Sequence, residues 1–338
     1  MSNQTVMPAE WTPHERCWMA WPCNESLWRG NIEGARINYA AVANAIAHFE
    51  PVTMLTPTHL LEDARRRLCP QVSVVAWELD DSWMRDIGPT FVQNVESGAI
   101  MGIDWRFNGW GKFPHEQDQW VAEKLLTHLG IPRLASPLIN EGGAIHVDGA
   151  GTCLATQNVQ LNSNRNGQLP QSTVESYLKE ALGVNQVIWF ERGLYDDHTD
   201  GHVDQFACFT APGKIVALTC SDSKDPNYEI LQSNIELLKN SRDSQGRAFE
   251  ITTIEQPPSA YFHGERLGKS YINFYIANGG VVVPSYGLSD YDSEAYRVLQ
   301  SAFPNRQVVQ VDSQVLVTGG GNIHCITQQQ PLPGNNSR

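Results

Sequence analysis

Gln205-Phe-Ala-Cys-Phe-Thr-Ala-Pro-Gly-Lys-Ile-Val-Ala-Leu218 is followed, after a short polar loop, by Tyr228-Glu-Ile-Leu-Gln-Ser-Asn-Ile-Glu-Leu-Leu238. The first stretch reads as two β-runs, Gln205 to Thr210 and Lys214 to Leu218, joined by an Ala-Pro-Gly turn. The second carries apolar residues at helical spacing. Hairpin followed by helix is therefore the local unit, and it recurs outward in both directions. Further β-runs fall at Cys17 to Trp21, Val52 to Leu55, Val72 to Trp77, Thr90 to Val95, Ile100 to Trp105, Cys153 to Thr156, Val187 to Phe190, Ile272 to Ile276, Val281 to Val283, Val308 to Val311 and Gln314 to Val317. Helical patterning covers Ala35 to Phe49, His59 to Leu68, Gln117 to Leu129, Thr173 to Leu182 and Asp292 to Phe303. The runs are too short and too many for one doubly wound sheet. They describe an α/β chain of small ββαβ-like units, none able to bury its apolar face alone. The units share no visible residue identities, so the order of elements alone carries the repeat.

The 338 residues are 41% hydrophobic and 18% charged, with Lys+Arg 24 against Asp+Glu 37 and a formal net charge of −13. No window approaches the roughly 18 uninterrupted apolar residues of a membrane helix. Met1 to Met7 is polar, with neither a basic region nor an apolar signal core, so the chain is expected in the cytoplasm. A pI near 5.2 without a Lys/Arg block argues against a nucleic-acid partner and favours a small cation. No linker or composition change interrupts Trp11 to Gln330, and one compact unit is expected, followed by a frayed tail.

Seven scattered cysteines without a Cys-x-x-Cys pair suggest neither a disulfide framework nor a thiolate zinc site. Four polar segments at strand ends carry the candidate chemistry. In Asp80-Asp-Ser-Trp-Met-Arg-Asp-Ile-Gly-Pro89, Asp80 and Asp81 suit the capping of backbone N–H groups, whereas Asp86 stands where Gly88 lets another group approach. Asn140-Glu-Gly-Gly-Ala-Ile-His-Val-Asp-Gly149 presents Glu141 at the mouth of a strand, and its His146 suits a structural role. Asp196-Asp-His-Thr-Asp-Gly-His-Val-Asp204 is the densest titratable cluster. His198 and His202 with Asp200 and Asp204 could hold zinc or iron, but Thr199-Asp200-Gly201 looks like a turn entering a strand from Val203. In extended geometry His202 and Asp204 would share one face and converge on a substrate. Thr318-Gly-Gly-Gly-Asn-Ile-His-Cys-Ile-Thr327 lacks the Lys-Ser/Thr of a phosphate loop. It delivers His324 and Cys325 on a backbone cleared of side chains, which suits Cys325 to nucleophilic attack.

One thiol, one imidazole and three carboxylates suit a planar cation such as guanidinium, which pairs bidentately with carboxylates and offers an electrophilic carbon. A neutral amide would need oxyanion donors instead, and acids beside the thiol would raise its pKa.

Trp83-Met-Arg-Asp-Ile-Gly-Pro89, Glu141-Gly-Gly-Ala-Ile-His-Val-Asp-Gly149, Thr199-Asp-Gly-His-Val-Asp204 and Gly319-Gly-Gly-Asn-Ile-His-Cys-Ile-Thr-Gln-Gln-Gln-Pro331 closely resemble the agmatine deiminases (agmatine iminohydrolases) of the guanidine-modifying, or pentein, superfamily. Pro8-Ala-Glu-Trp-Thr-Pro-His14, Phe49-Glu-Pro-Val-Thr-Met54 and Leu161-Asn-Ser-Asn-Arg-Asn166 extend the resemblance, which runs from about Pro8 to Pro331. Bacterial peptidylarginine deiminases share much of the constellation. The resemblance implies a single pentein domain over residues 8–331, an α/β propeller of five ββαβ units with pseudo-fivefold symmetry and a central active-site channel, with a flexible tail over 332–338. It further implies hydrolysis of agmatine to N-carbamoylputrescine and ammonia, no metal or cofactor, and a homodimer or higher homo-oligomer. By the same resemblance Cys325 is the nucleophile, His202 the general acid/base and Glu141 the group that orients and charges His202. Asp86 and Asp204 clamp the guanidinium, and Trp83 packs along the aliphatic chain. Three carboxylates around Cys325 are expected to keep the thiol protonated until a cationic substrate arrives.

Trp105-Arg-Phe-Asn-Gly-Trp-Gly-Lys-Phe-Pro-His-Glu116 and Gln256-Pro-Pro-Ser-Ala-Tyr-Phe-His-Gly-Glu265 look shorter than in longer members, and such loops would rim the channel. Three rival readings stand beside the main one: a peptidylarginine or other guanidine deiminase, a His/Asp metallohydrolase, and a binding-only protein of the same fold.

Overall fold

The structure is a computed structural model of the chain in which residues 5–334 are described. Five sheets repeat one pattern among those residues: an antiparallel pair, then a helix, then a strand parallel to the second of the pair. Thr90–Asn94 and Ile100–Arg106 are continued by Arg133–Ile139. Ile145–Val147 and Thr152–Thr156 are continued by Gln186–Phe190. Ala207–Ala211 and Lys214–Thr219 are continued by Glu250–Glu255. Tyr275–Ala277 and Gly280–Ser285 are continued by Gln307–Asp312. The fifth unit joins the two ends of the chain, because Thr327–Pro331 pairs antiparallel with His14–Ala20, which is followed in parallel by Val52–Thr56 and Val72–Ala76.

A parallel pair cannot be closed by a tight turn and needs a crossover. Val121–Leu129, Gln171–Leu182, Asn227–Asn240, Ser289–Ala302 and Ile32–Ile46 supply one crossover in each unit, and Leu61–Arg67 supplies the further one between Val52–Thr56 and Val72–Ala76. Each exists because its apolar face has a sheet to cover. In Gln171–Leu182 the buried residues are Val174, Leu178 and Leu182, one turn apart. Burial of each contributes about 1.5–3 kcal/mol. That helix stops at Gly183, whose φ of 68° is the left-handed conformation that ends helices without steric cost.

The ββα order expected from Gln205 to Leu238 is thus present and repeated. Three strands of five or more residues fall outside the expected runs, and each hides its pattern. Arg133–Ile139 is largely exposed and interrupted by Pro137, and Glu250–Glu255 is polar at its exposed positions. Thr327–Pro331 is wholly buried yet consists of Thr, three Gln and Pro. Conversely, the strand expected at Gln314 to Val317 is a helical turn, Leu316–Gly319. Asp312 accepts from the Gln314 N–H at 3.0 Å, and Ser313 C=O from the Val317 N–H, so the local hydrogen bonds close a turn. Among the described residues no helix is long and apolar enough to cross a membrane. Of the expected tail, Leu332 and Gly334 donate to the carbonyls of Pro13 and Gly98, and residues 335–338 lie outside the described residues.

Candidate active site

Cys325 lies in the turn between the glycine run and the strand Thr327–Pro331, 4% exposed. Its Sγ sits 3.2 Å from Asn273 Nδ2 and 3.5 Å from Asp204 Oδ2. The glycines clear the approach as expected: a Cβ on Gly321 would stand 2.6 Å from the Trp83 ring and 3.1 Å from Cys325 Sγ. Burial first, then the charges of Asp204 and Asp86, push the thiol well above its ordinary range, against a smaller opposing pull from the Asn273 amide. The resting form is the thiol.

His202 is fully buried, with Nε2 3.3 Å from Glu141 Oε2 and Nδ1 3.9 Å from Asp86 Oδ2. Burial alone would lower its pKa, but Asp86, Glu141 and Asp204 together outweigh that and carry it to about 9. Glu141 in turn is kept below the usual carboxylate range, despite burial, by His202 and Arg165. Arg165 Nε donates to Glu141 Oε1 at 2.5 Å. His202 does not enter a strand with Asp204, contrary to expectation. Val203–Gln205 is a helical turn, and the strand starts at Ala207. Asp197 accepts from the Thr199 hydroxyl and the His202 N–H, which makes this a capped turn rather than an extended run. The two side chains still converge, because a Cβ on Gly143 would lie 2.6 Å from His202 Nδ1, 2.9 Å from Asp204 Oδ2 and 3.1 Å from Asp86 Oδ1.

Asp86 stands on the single helical turn Met84–Ile87. It accepts from the Gly143 N–H at 2.9 Å and from Trp110 Nε1 at 3.0 Å, and burial raises its carboxyl to about 6. Gly88 does let another group approach closely, and that group is Met84 of the same turn, whose side chain and carbonyl a Cβ there would meet at 2.7 Å. Asp204 Oδ2 accepts from His324 at 2.8 Å, while Oδ1 is buried without a hydrogen-bond partner among the described residues. His202 Nδ1 is likewise buried and unpartnered. Two buried polar atoms left without hydrogen-bond partners on neighbouring side chains point to a polar ligand.

A cavity of about 510 Å³ opens above this floor, walled by Trp83, Asp86, Trp110, Phe113 and Cys325. Glu141, His202 and Asp204 lie beneath its surface. Both loops that looked short do rim it, through Phe113 and Pro114 on one side and Glu265 on the other. Asp80 and Asp81 also face it, and their carboxylates cap the N–H groups of Gln117 and Ser82 as expected. His146 is buried against Cys208 at 3.3 Å, away from the cavity walls. His198 lines the mouth near Glu265, whereas His202 faces Glu141 and Asp86 below, so the pair does not form one ligand set.

Sequence reasoning missed the supports. Arg165 was part of a quoted stretch but carried no role; the one cation in Asn-Ser-Asn-Arg-Asn was the available signal. Asn273 and Trp110 gave none, as each sits in a run read as strand or rim.

The sequence family described as Porphyromonas-type peptidyl-arginine deiminase matches residues 6–331. An agmatine deiminase of Medicago truncatula is 42% identical over 358 residues, covering 96% of each chain. The solved agmatine deiminase of Enterococcus faecalis superposes with a TM-score of 0.93 at 34% identity, covering 98% of this chain and 97% of that one. A Cys-to-Ser agmatine deiminase of C. jejuni, solved with substrate bound, gives 0.90 at 28% identity and covers 97% of each chain. These likenesses make the α/β fold pentein-like, and the chain belongs to the agmatine deiminase family.

Proposed function

We propose that this protein hydrolyses agmatine to N-carbamoylputrescine and ammonia through a covalent intermediate on Cys325. The observation that carries the reading is the convergence of buried Asp204, Asp86 and His202 next to the Cys325 thiol of an acidic cavity, with Asp204 Oδ1 and His202 Nδ1 left without hydrogen-bond partners among the described residues. A guanidinium fits it: N–H groups pair with Asp86 and Asp204, and its carbon faces the sulfur. Trp83 covers the aliphatic chain. As the cation binds, the thiol gives up its proton to solvent; the thiolate forms the S–C bond to give a tetrahedral adduct, the C–N bond breaks, and ammonia leaves with a proton from the charged His202. The thiouronium remains. His202, now neutral, takes a proton from water, whose oxygen adds to the same carbon and expels the thiolate; the proton left on that oxygen passes to the sulfur, which frees the neutral ureido product and restores the thiol.

Arrival of the cation offsets the carboxylate field that holds the thiol protonated. Ultraviolet thiolate absorbance of the ligand-free protein, corrected with Cys325→Ala, is therefore expected only above the reference thiol pKa of about 8.5. A signal titrating below that value overturns substrate-assisted ionisation.

The wider reading is one domain over residues 8–331 with five units fanned around a central channel, supported by the fivefold recurrence of the strand pattern. It includes a homo-oligomer in the cytoplasm; all seven cysteines are free, which suits a reducing compartment. The test of substrate is ammonia and ureido product from agmatine, free arginine and an arginyl peptide side by side, with EDTA throughout. Turnover of agmatine alone supports the proposal. Turnover of the peptide alone moves the substrate to peptidylarginine, and activity only after metal is restored overturns the thiol mechanism.

A further inference from the structure

His324 has no part in the steps above, yet both of its ring nitrogens face carboxylates. Nδ1 lies 2.8 Å from Asp204 Oδ2 and Nε2 2.9 Å from Glu10 Oε1, with all three side chains buried. A neutral imidazole carries one N–H and could satisfy one of these contacts, leaving a lone pair against a carboxylate oxygen at the other. We infer that His324, held as an imidazolium between Glu10 and Asp204, is a positioning residue that keeps Asp204 ionised and reserves its second oxygen for the substrate guanidinium. This rests on the reading of Asp204 as a guanidinium clamp.

The alternative distribution of the same protons, a neutral ring with one carboxylic acid, is disfavoured by the surroundings. Arg85 Nη1 is 3.5 Å from Glu10 Oε1 and is itself fixed by Gln328 and Gln329 at 2.9 and 2.7 Å. His146 Nε2 stands 3.6 Å from Glu10 Oε2, and its ring lies 6.3 Å from that of His324. The His14 ring donates to the Glu10 carbonyl at 2.9 Å and fixes the backbone that presents this carboxylate. Two cations, Arg85 and His324, thus balance two anions, Glu10 and Asp204, in a region closed to water. His202, Asp86, the Cys325 thiol and the Cys208 thiol are further ionisable neighbours of Asp204.

The two clamp carboxylates form an internal comparison. Both are buried, which raises each. Asp86, whose hydrogen bonds come from an amide and an indole, ends at about 6. Asp204, which has His324, ends below the ordinary range. The imidazolium also occupies Oδ2, so that Oδ1 alone is left without a partner. Because His324 adjoins Cys325 and Asp204 follows His202 by two, the same bond ties the turn carrying the nucleophile to the turn carrying the acid/base.

The experiment uses Cys325→Ser as the parent, so that agmatine binds without turnover. Agmatine affinity is followed against pH in the parent and in Cys325→Ser/His324→Gln, in which glutamine can donate a hydrogen bond but supplies no charge. On the acid side affinity falls with two clamp carboxylates, Asp86 near 6 and Asp204 below the ordinary range, and it is the lower of the two steps that is expected to move upward by about 1–3 pH units in the double variant. An unchanged profile overturns the inference. Nitrogen-15 NMR of the wild-type ring reads the charge directly and needs no folded variant: both nitrogens are expected in the protonated range at neutral pH. One nitrogen in the unprotonated range overturns the inference. Asp204→Asn in the same parent separates the two readings. If it binds agmatine as tightly as the parent, the clamp itself is wrong; if it weakens binding while His324→Gln leaves the profile unmoved, the clamp stands and the role of His324 falls.

Discussion

Cys325→Ser is expected to abolish turnover while agmatine binding survives. The substitution keeps the size and hydrogen-bonding capacity of the side chain, so the fold and the Asn273 contact should persist. What it removes is an ionisable nucleophile. Even the thiol is pushed above its ordinary range by burial, Asp204 and Asp86. A hydroxyl, far less acidic to begin with, has no base in hydrogen-bond contact except Asp204, whose carboxylate is the weaker for being held by His324. Loss of a nucleophile that works as one unit with its base costs on the order of 10⁴–10⁶ in kcat. In the proposed function binding rests on Asp86, Asp204 and Trp83, none of which changes, so titration calorimetry should give a Kd within a few-fold of the wild-type KM. The C. jejuni Cys-to-Ser relative solved with substrate bound is consistent with that division. Turnover within tenfold of wild type would remove Cys325 from the mechanism.

The candidate site residues were legible because each stands in a short segment whose composition is hard to explain otherwise. Cys325 follows three glycines, and Asp86, Glu141 and His202 sit beside glycines or among titratable groups. What supports them was not legible. Arg165 meets Glu141 from 24 positions away, Glu10 meets His324 from 314, and Asn273 meets Cys325 from 52. Pairings at such separations are set by how the five units pack, and a lone buried Asn or Glu leaves no period in the sequence. His324 shows the limit most clearly. It was quoted beside the nucleophile, yet its meaning depends on two carboxylates 120 and 314 positions away. The fold divides in the same way. Strands buried on both faces, such as Val52–Thr56, announce themselves by composition. The buried strand Thr327–Pro331 does not, since its glutamines are satisfied by Arg85, Trp18 and Glu15. His202 and Asp204 were expected to converge, and they do, but through a capped turn in place of strand alternation.

Gly142→Ala and Gly143→Ala should fail in opposite ways, though the residues are neighbours. Neither glycine has a positive φ, so alanine is permitted by the backbone at both, and only the space around each Cβ differs. At Gly142 the added carbon collides with the carbonyl oxygen of Arg85, in the helical turn that carries Asp86. Main chain cannot swing aside as a side chain can, so this variant loses stability by about 1–3 kcal/mol. At Gly143 the carbon enters the gap between His202 Nδ1, Asp204 Oδ2 and Asp86 Oδ1. These are ends of side chains, and they can move apart, but Glu141, His324 and Trp110 hold them where they are. A displacement of a few tenths of an ångström to an ångström of groups that must align on one guanidinium costs on the order of 10² in kcat/KM. Gly143→Ala is therefore expected to unfold close to the wild-type temperature and to have lost most of its activity, while Gly142→Ala shows mainly a lowered Tm. Thermal unfolding and steady-state kinetics on the two proteins side by side decide it. Near-normal kcat/KM in Gly143→Ala would mean that the three side chains do not act from the positions in which they converge.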